Sequence, residues 1–206
     1  MTHRFLTRLL RICAAVAIGF GPLHAFAEDA ASLRAKHGEL REQLARNNFQ
    51  RAMYIDSAQV GDNLKGDVYA VLDHPFSLVS GELKSPENWC DILILPFNTK
   101  YCHAVDGNGG GKNLLVRIGR KYDQPIQDAY KLQFGYREVA ATPDYFESRL
   151  AAREGPVGTR DYHITVSAVP LDDKRTFMHL SYSYGYGLAG KVAMQAYLAT
   201  VGADKV

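Results

Sequence analysis

Residues 161–201 read DYHITVSAVPLDDKRTFMHLSYSYGYGLAGKVAMQAYLATV. Two stretches in this segment alternate with period 2, the pattern of half-buried strands. Over 161–169, Tyr162, Ile164, Val166 and Ala168 oppose His163, Thr165 and Ser167. Over 176–184, Met178, Leu180, Tyr182 and Tyr184 oppose Phe177, His179, Ser181 and Ser183. Asp172-Asp173 turn the chain between them, and Gly185 and Gly187 close the second strand. From 188 to 201 the period becomes helical, with Leu188, Val192, Tyr197, Leu198 and Val201 available for burial and Gly202 as the cap. An antiparallel sheet followed by one long helix must bury that helix against a sheet face.

Working back, 130–138 alternates in the same way, with Tyr130, Leu132, Phe134 and Tyr136 on one side. Residues 97–105, 113–120 and 145–152 read as further strands, with the glycine-rich 106–111 as a turn. Pro75 and Pro86 open two short helices, ending near Leu83 and Leu93. Before them, 51–60 and 64–73 read as two strands, with Gly66 expected at a bulge. Leu33, His37, Leu40 and Leu44 fall on one stripe of a helix over 30–46, which Asn47-Asn48 end. The class is α+β: a curved antiparallel sheet around a long C-terminal helix, an N-terminal helix, and two short helices between the early and late strands.

Composition agrees with one globular domain. The chain has 206 residues, 47% of them hydrophobic and 22% charged. Its first 27 residues hold Arg4, Arg8 and Arg11 and no acid, then an apolar stretch from Ile12 to Phe20 and the small-x-small run Ala25-Phe26-Ala27. That order is a secretory signal peptide cleaved after Ala27, with an uncleaved anchor as the alternative. The expected organisation is a signal peptide over 1–27 and a single domain over 28–206, in a periplasmic or secreted location. Without those three arginines, 21 basic residues face 22 acidic ones. No basic excess remains to attract nucleic acid.

Cys90 and Cys102 are the cysteines left after cleavage. In an exported chain an even pair reads as a disulfide; a free thiol pair or a metal site are the alternatives. No CxxC or HExxH spacing supports the metal.

The element order resembles that of the START-like, or helix-grip, superfamily of lipid-binding domains. The resemblance covers about residues 30–202. It is carried by Gly66-Asp67-Val68-Tyr69-Ala70-Val71-Leu72 running into Pro75-Phe76, by Trp89-Cys90 ending the paired helices, and by Tyr182-Ser183-Tyr184 before the last helix. It implies a cavity between sheet and last helix that holds a lipid or other hydrophobic molecule. Tyr130, Phe134, Tyr136, Tyr162, Ile164, Tyr182 and Tyr184 lie on the inward strand faces and are the candidate ligand contacts. A tyrosine offers an apolar ring with a hydroxyl that can orient a headgroup. Ordinary core packing with hydroxyls at the rim is the alternative. Arg149 is added as a headgroup partner, against a solvent-side ion pair with Glu147.

Catalytic signatures are weak. Lys112 after the glycine-rich turn lacks the phosphate-loop spacing, because Asp106 stands where glycine is required and Asn113 replaces Ser or Thr. The calcium-loop start Asp106-x-Asn108 ends on Arg117 instead of an acid. No GxSxG elbow is present. The residue pattern implies no cofactor, no metal ligand set and no catalytic residue. Three readings remain: a carrier or sensor of a hydrophobic ligand; a cyclase- or hydrolase-type enzyme on the same scaffold, needing His163, His179 and Glu147 to converge in the cavity; and an envelope interaction domain. A lipid carrier can touch a membrane transiently, although no amphipathic segment here is basic enough to argue it directly. Oligomeric state is not legible.

Overall fold

Alternating side chains along eight antiparallel strands give the sheet two different faces, and a separate set of helices covers each. The structure, a computed structural model, describes residues 29–95, 98–107 and 110–200. The expected signal peptide and the expected cap at Gly202 lie outside the described residues. The chain runs α1 (Ala30–Glu39), α2 (Arg41–Ala45), β1 (Met53–Val60), β2 (Asn63–Leu72), α3 (Phe76–Leu83) and α4 (Pro86–Ile94). It continues through β3 (Thr99–Asp106), β4 (Lys112–Ile118), β5 (Tyr130–Ala141), β6 (Phe146–Glu154), β7 (Arg160–Pro170), β8 (Thr176–Gly185) and α5 (Leu188–Ala199). Strands β3 to β8 form a meander, and β8 returns beside β2, giving the order β1-β2-β8-β7-β6-β5-β4-β3. The architecture is the expected α+β helix-grip arrangement, a curved open sheet with a helix after its last strand.

Local chemistry explains the ends of these elements. Asp29 caps α1: its carboxylate accepts the Ser32 amide at 2.7 Å, while the Ser32 hydroxyl accepts the Asp29 amide. Ser85 caps α4 ahead of Pro86, which needs no amide partner there. Gly61, at φ +58°, makes the tight turn from β1 to β2.

On the inner face, Leu114, Val116, Leu132, Phe134, Leu150 and Ile164 meet Phe76, Val79 and Leu83 of α3 and Trp89 of α4. The Trp89 indole N–H donates to the Leu83 carbonyl at 2.9 Å, joining the two helices. A disulfide between Cys90 and Cys102, with Cα atoms 5.1 Å apart, ties α4 to β3. On the outer face, Leu33, Leu40 and Leu44 bury against Tyr145, Val169 and Phe177. The sequence stripe therefore covers the back of the sheet, over β1, β2, β8 and β7 and as far as Tyr145 in the β5–β6 connection.

Three expectations change. The helix over 30–46 breaks at Leu40, whose φ −90° and ψ +7° leave the helical region. Gly66 sits in regular register between Ser57 and Tyr182, and the irregularities fall instead at Thr99/Tyr101, Glu138/Ala140 and Arg160/His163. In α5, Leu188 is 79% exposed and Val192 57%. The middle of the inner face is already filled by α3 and α4, so α5 lies over the tyrosine-rich end, with Gly190 beside Tyr186, Val157 and Thr159, and Ala193 and Met194 facing Tyr162, Tyr182 and Tyr184 across a cavity.

Candidate ligand-binding site

The inner face is not filled along its whole length. Beyond Trp89 the side chains of β4, β5, β7 and β8 leave a cavity of about 310 Å³. Leu93 of α4 forms one wall; Val116, Leu132, Phe134, Ile164 and Leu180 form the floor. It adjoins a second cavity of about 390 Å³ beneath α5, and Asn98, Ile118, Tyr162 and Tyr182 line both. The result is an open apolar groove running from Trp89 to Met194. Its size falls in the range of small-molecule sites.

Period-2 alternation brings three tyrosines together at the junction. Tyr162 stacks on Tyr184 with centroids 5.4 Å apart, and Tyr182 lies 5.5 Å from Tyr184. Phe134 meets Tyr162 edge-on at 6.2 Å. The Tyr162 hydroxyl donates to Thr159 Oγ1 at 2.7 Å. Among the described residues the hydroxyls of Tyr182 and Tyr184 have no hydrogen-bond partner. Burial pushes the phenols of Tyr182, Tyr162 and Tyr184 above the ordinary value, so all three are neutral near pH 7. The groove thus combines apolar walls with two hydroxyls that can donate to, or accept from, a ligand atom.

Of the expected contacts, Phe134, Tyr162, Ile164 and Tyr182 line the first cavity and Tyr184 the second. Three others lie elsewhere. Tyr136 shares the inward side, but its hydroxyl donates to the carbonyls of Leu83 and Lys84 and clamps the end of α3; burial and the Glu138 carboxylate push its pKa up to about 12. Tyr130, at the start of β5, is 53% exposed. Arg149 sits on the outer face, paired with Glu147 at 2.5 Å, because it neighbours the inward Leu150.

The residues proposed for an enzyme do not converge in the groove. His163, His179 and Glu147 alternate with the inward Ile164, Leu180 and Leu150 and lie on the outer face. The Glu147 carboxylate is buried there against the Tyr145 hydroxyl and Arg149. Sequence reading missed the α4 wall, Trp89 and Leu93, and the shared mouth residue Asn98. The amphipathic spacing of Trp89 and Leu93 was the available signal.

No protein-family model matches the chain, and no curated protein matches it. Three solved structures show partial similarity. The Zhui aromatase/cyclase from Streptomyces sp. R1128 is 14% identical over 68% of this chain and 72% of its own, with a TM-score of 0.42. A norcoclaurine synthase point mutant from Thalictrum flavum is 16% identical over 70% and 85%, at 0.41. The human StarD13 (DLC2) lipid transfer and protein localization domain is 8% identical over 73% and 82%, at 0.45. Every one of these scores is below 0.5, so the fold assignment rests on the strand order and helix placement of the chain itself.

Proposed function

We propose that the protein binds a lipid or other hydrophobic small molecule in the inner-face groove and acts as a carrier or sensor in the cell envelope. The observation that carries this reading is the open apolar groove with the unpartnered hydroxyls of Tyr182 and Tyr184 on its wall. An apolar body would be held by Trp89, Leu132 and Ile164, and a polar atom of the ligand would meet the tyrosines. Phe134, Tyr162, Ile164, Tyr182 and Tyr184 are the proposed contacts. Export follows from the signal-peptide reading of residues 1–27.

Transient membrane contact is part of the same proposal. Register places Ile118, Tyr130, Arg160, Gly185 and Asn63 along one end of the sheet. Exposed Val60 at the end of β1, Tyr122 and Val157 in the connections, and Leu188 at the start of α5 lie at that end. Apolar loop tips around the mouth of an apolar groove suit partial insertion into a bilayer while a ligand transfers.

Native mass spectrometry of the protein from an envelope preparation, followed by lipid extraction, tests the proposal. A bound lipid-sized mass, lost on unfolding and reduced by Leu132→Trp, is the expected result. A protein that carries no such mass and takes up neither a fluorescent fatty acid nor a sterol overturns it.

A further inference from the structure

The outer face beyond the reach of α1 and α2 carries cations with little to balance them. Arg117 of β4 is the direct cross-strand neighbour of Lys131 on β5, and both point outward. Arg137 of β5 directly opposes Arg149 of β6. Arg153 follows on the same side of β6, two residues beyond the outward Ala151. Like charges placed opposite one another destabilise a sheet. Glu147 offsets the second pair through Arg149, whereas among the described residues the first pair has no such acid. The acids nearby are engaged: Glu147 with Arg149, and Asp161 with Arg160. Among the described residues Arg117, Lys131, Arg137 and Arg153 have no acidic partner.

The cations mark the two ends of a track along β5. Lys131 and Arg137 are six residues apart, roughly 20 Å along a strand. Between them lie small or amide side chains: Gln133, then Gly135 flanked by Asn113 on β4 and Ala151 on β6. Gly135 leaves a trough, with the Asn113 Oδ1 atom 3.7 Å from where a β-carbon would stand. At the Arg117 end the trough opens into a cleft of about 580 Å³, walled by Tyr101 and Leu115 and overhung by Ile126.

We propose that this track binds a segment of an acidic polysaccharide. Carboxylates would pair with Arg117 and Lys131 at one end and with Arg137 at the other. The amides of Gln133 and Asn113 would meet sugar hydroxyls between them, and the Tyr101 ring offers a stacking surface. A polyphosphate chain is more densely charged than a polyuronate and carries no hydroxyls for the amides of Gln133 and Asn113 to meet.

Polygalacturonate, dextran, long-chain inorganic polyphosphate and phosphatidylglycerol vesicles are the probes, used on the purified chain at low and physiological salt. Polygalacturonate should bind, dextran should not, and added salt should weaken the complex. The pair Arg117→Gln with Lys131→Gln should lose roughly tenfold or more in affinity, and Arg137→Gln alone a similar amount. Lys131→Arg should retain binding. Because these substitutions relieve repulsion, Tm should stay level or rise, which separates lost binding from lost folding. Equal binding by the double variant, equal binding of dextran, or binding of polyphosphate or vesicles without polygalacturonate overturns the proposal.

Discussion

His179 Nε2 lies 2.8 Å from Asp67 Oδ1, and the pair stands on the opposite side of the sheet from the groove. The histidine ring also stacks on Tyr69, with centroids 4.2 Å apart and planes 5° from parallel. Lys65 Nζ reaches the second carboxylate oxygen at 2.9 Å. The arrangement joins β2 to β8, the contact that closes the strand order after the meander. A histidine and a carboxylate at hydrogen-bond distance invite a catalytic reading, yet here they fasten the sheet and face away from the apolar cavity. This placement keeps the pair out of reach of the groove.

Asp67→Asn tests that assignment. Burial alone would raise this carboxyl, but hydrogen bonds from Lys65, His179 and Ser181 outweigh it and hold its pKa below the usual range. A carboxylate depressed in the folded state contributes stability above its unfolded value of about 3.9, and loses it as pH falls through the lower folded value. The variant should lose about 1–2 kcal/mol near pH 7. Its urea midpoint should approach that of the parent at strongly acidic pH. Uptake of a fluorescent fatty acid should be unchanged, and a large drop in uptake would place the pair in the binding machinery after all.

Trp89 gives a second test, because it is both a core residue and a groove wall. It is 1% exposed, and its indole N–H shares the Leu83 carbonyl with the Tyr136 hydroxyl. Trp89→Phe therefore leaves that carbonyl with a partner and should cost about 1–2 kcal/mol. Trp89→Ala opens a void where α4 meets the sheet and should cost about 3–5 kcal/mol. As the single tryptophan of the chain it also reports on the groove, so an apolar ligand should shift its emission. An emission spectrum indifferent to a ligand known to bind would put that ligand elsewhere.

The strands were the most legible part of the chain. Period 2 located β7 and β8 to within a residue, and it placed Tyr162, Tyr182 and Tyr184 on the inward face and His163 on the other, while the cavity on the inward face was implied by the helix-grip resemblance. Period alone does not say which layer covers which face. The Leu33, Leu40 and Leu44 stripe was readable, but its partner, Phe177, is more than a hundred residues distant in sequence. The fate of α5 was hidden for the same reason. An apolar helix reads as buried until Trp89, Phe76 and Leu83 are seen to hold the space it would fill. Arg149 was misplaced because its pairing with Glu147 fixes a shared face without saying which face that is.

The Cys90–Cys102 bridge predicts a linked loss of stability and binding. It fastens α4 to β3 across a sequence separation of 12, and loop-closure entropy assigns such a bridge about 3 kcal/mol. Leu93 on α4 and Thr99 on β3 both line the groove. Reduction, or Cys90→Ser with Cys102→Ser, should lower the urea midpoint and weaken fatty-acid binding severalfold, since the α4 wall loses its anchor. If the midpoint falls while affinity holds, the helix is kept in place by Trp89 and the inner-face core alone.

His37 should make the outer layer sensitive to acid. Its ring lies 4.9 Å from Phe177, beneath α1. Burial, then the charges of Arg41 and Arg175, hold its pKa below the ordinary value. The neutral ring is the form that packs, so the folded chain takes up its proton later than the unfolded chain does. Its contribution is complete above the unfolded value of about 6.5 and is lost as pH falls through that value toward the lower folded one. Hydrogen exchange in residues 33–44 should therefore quicken as pH drops from about 7 to about 5, after correction for intrinsic rates. His37→Leu should remove the effect, since it keeps the apolar contact and cannot charge. The same acid step should leave the inner-face core around Leu114 and Leu150 protected, because α3, α4 and the disulfide hold that side independently. An NMR titration placing His37 at or above the ordinary histidine value would remove the basis for the coupling.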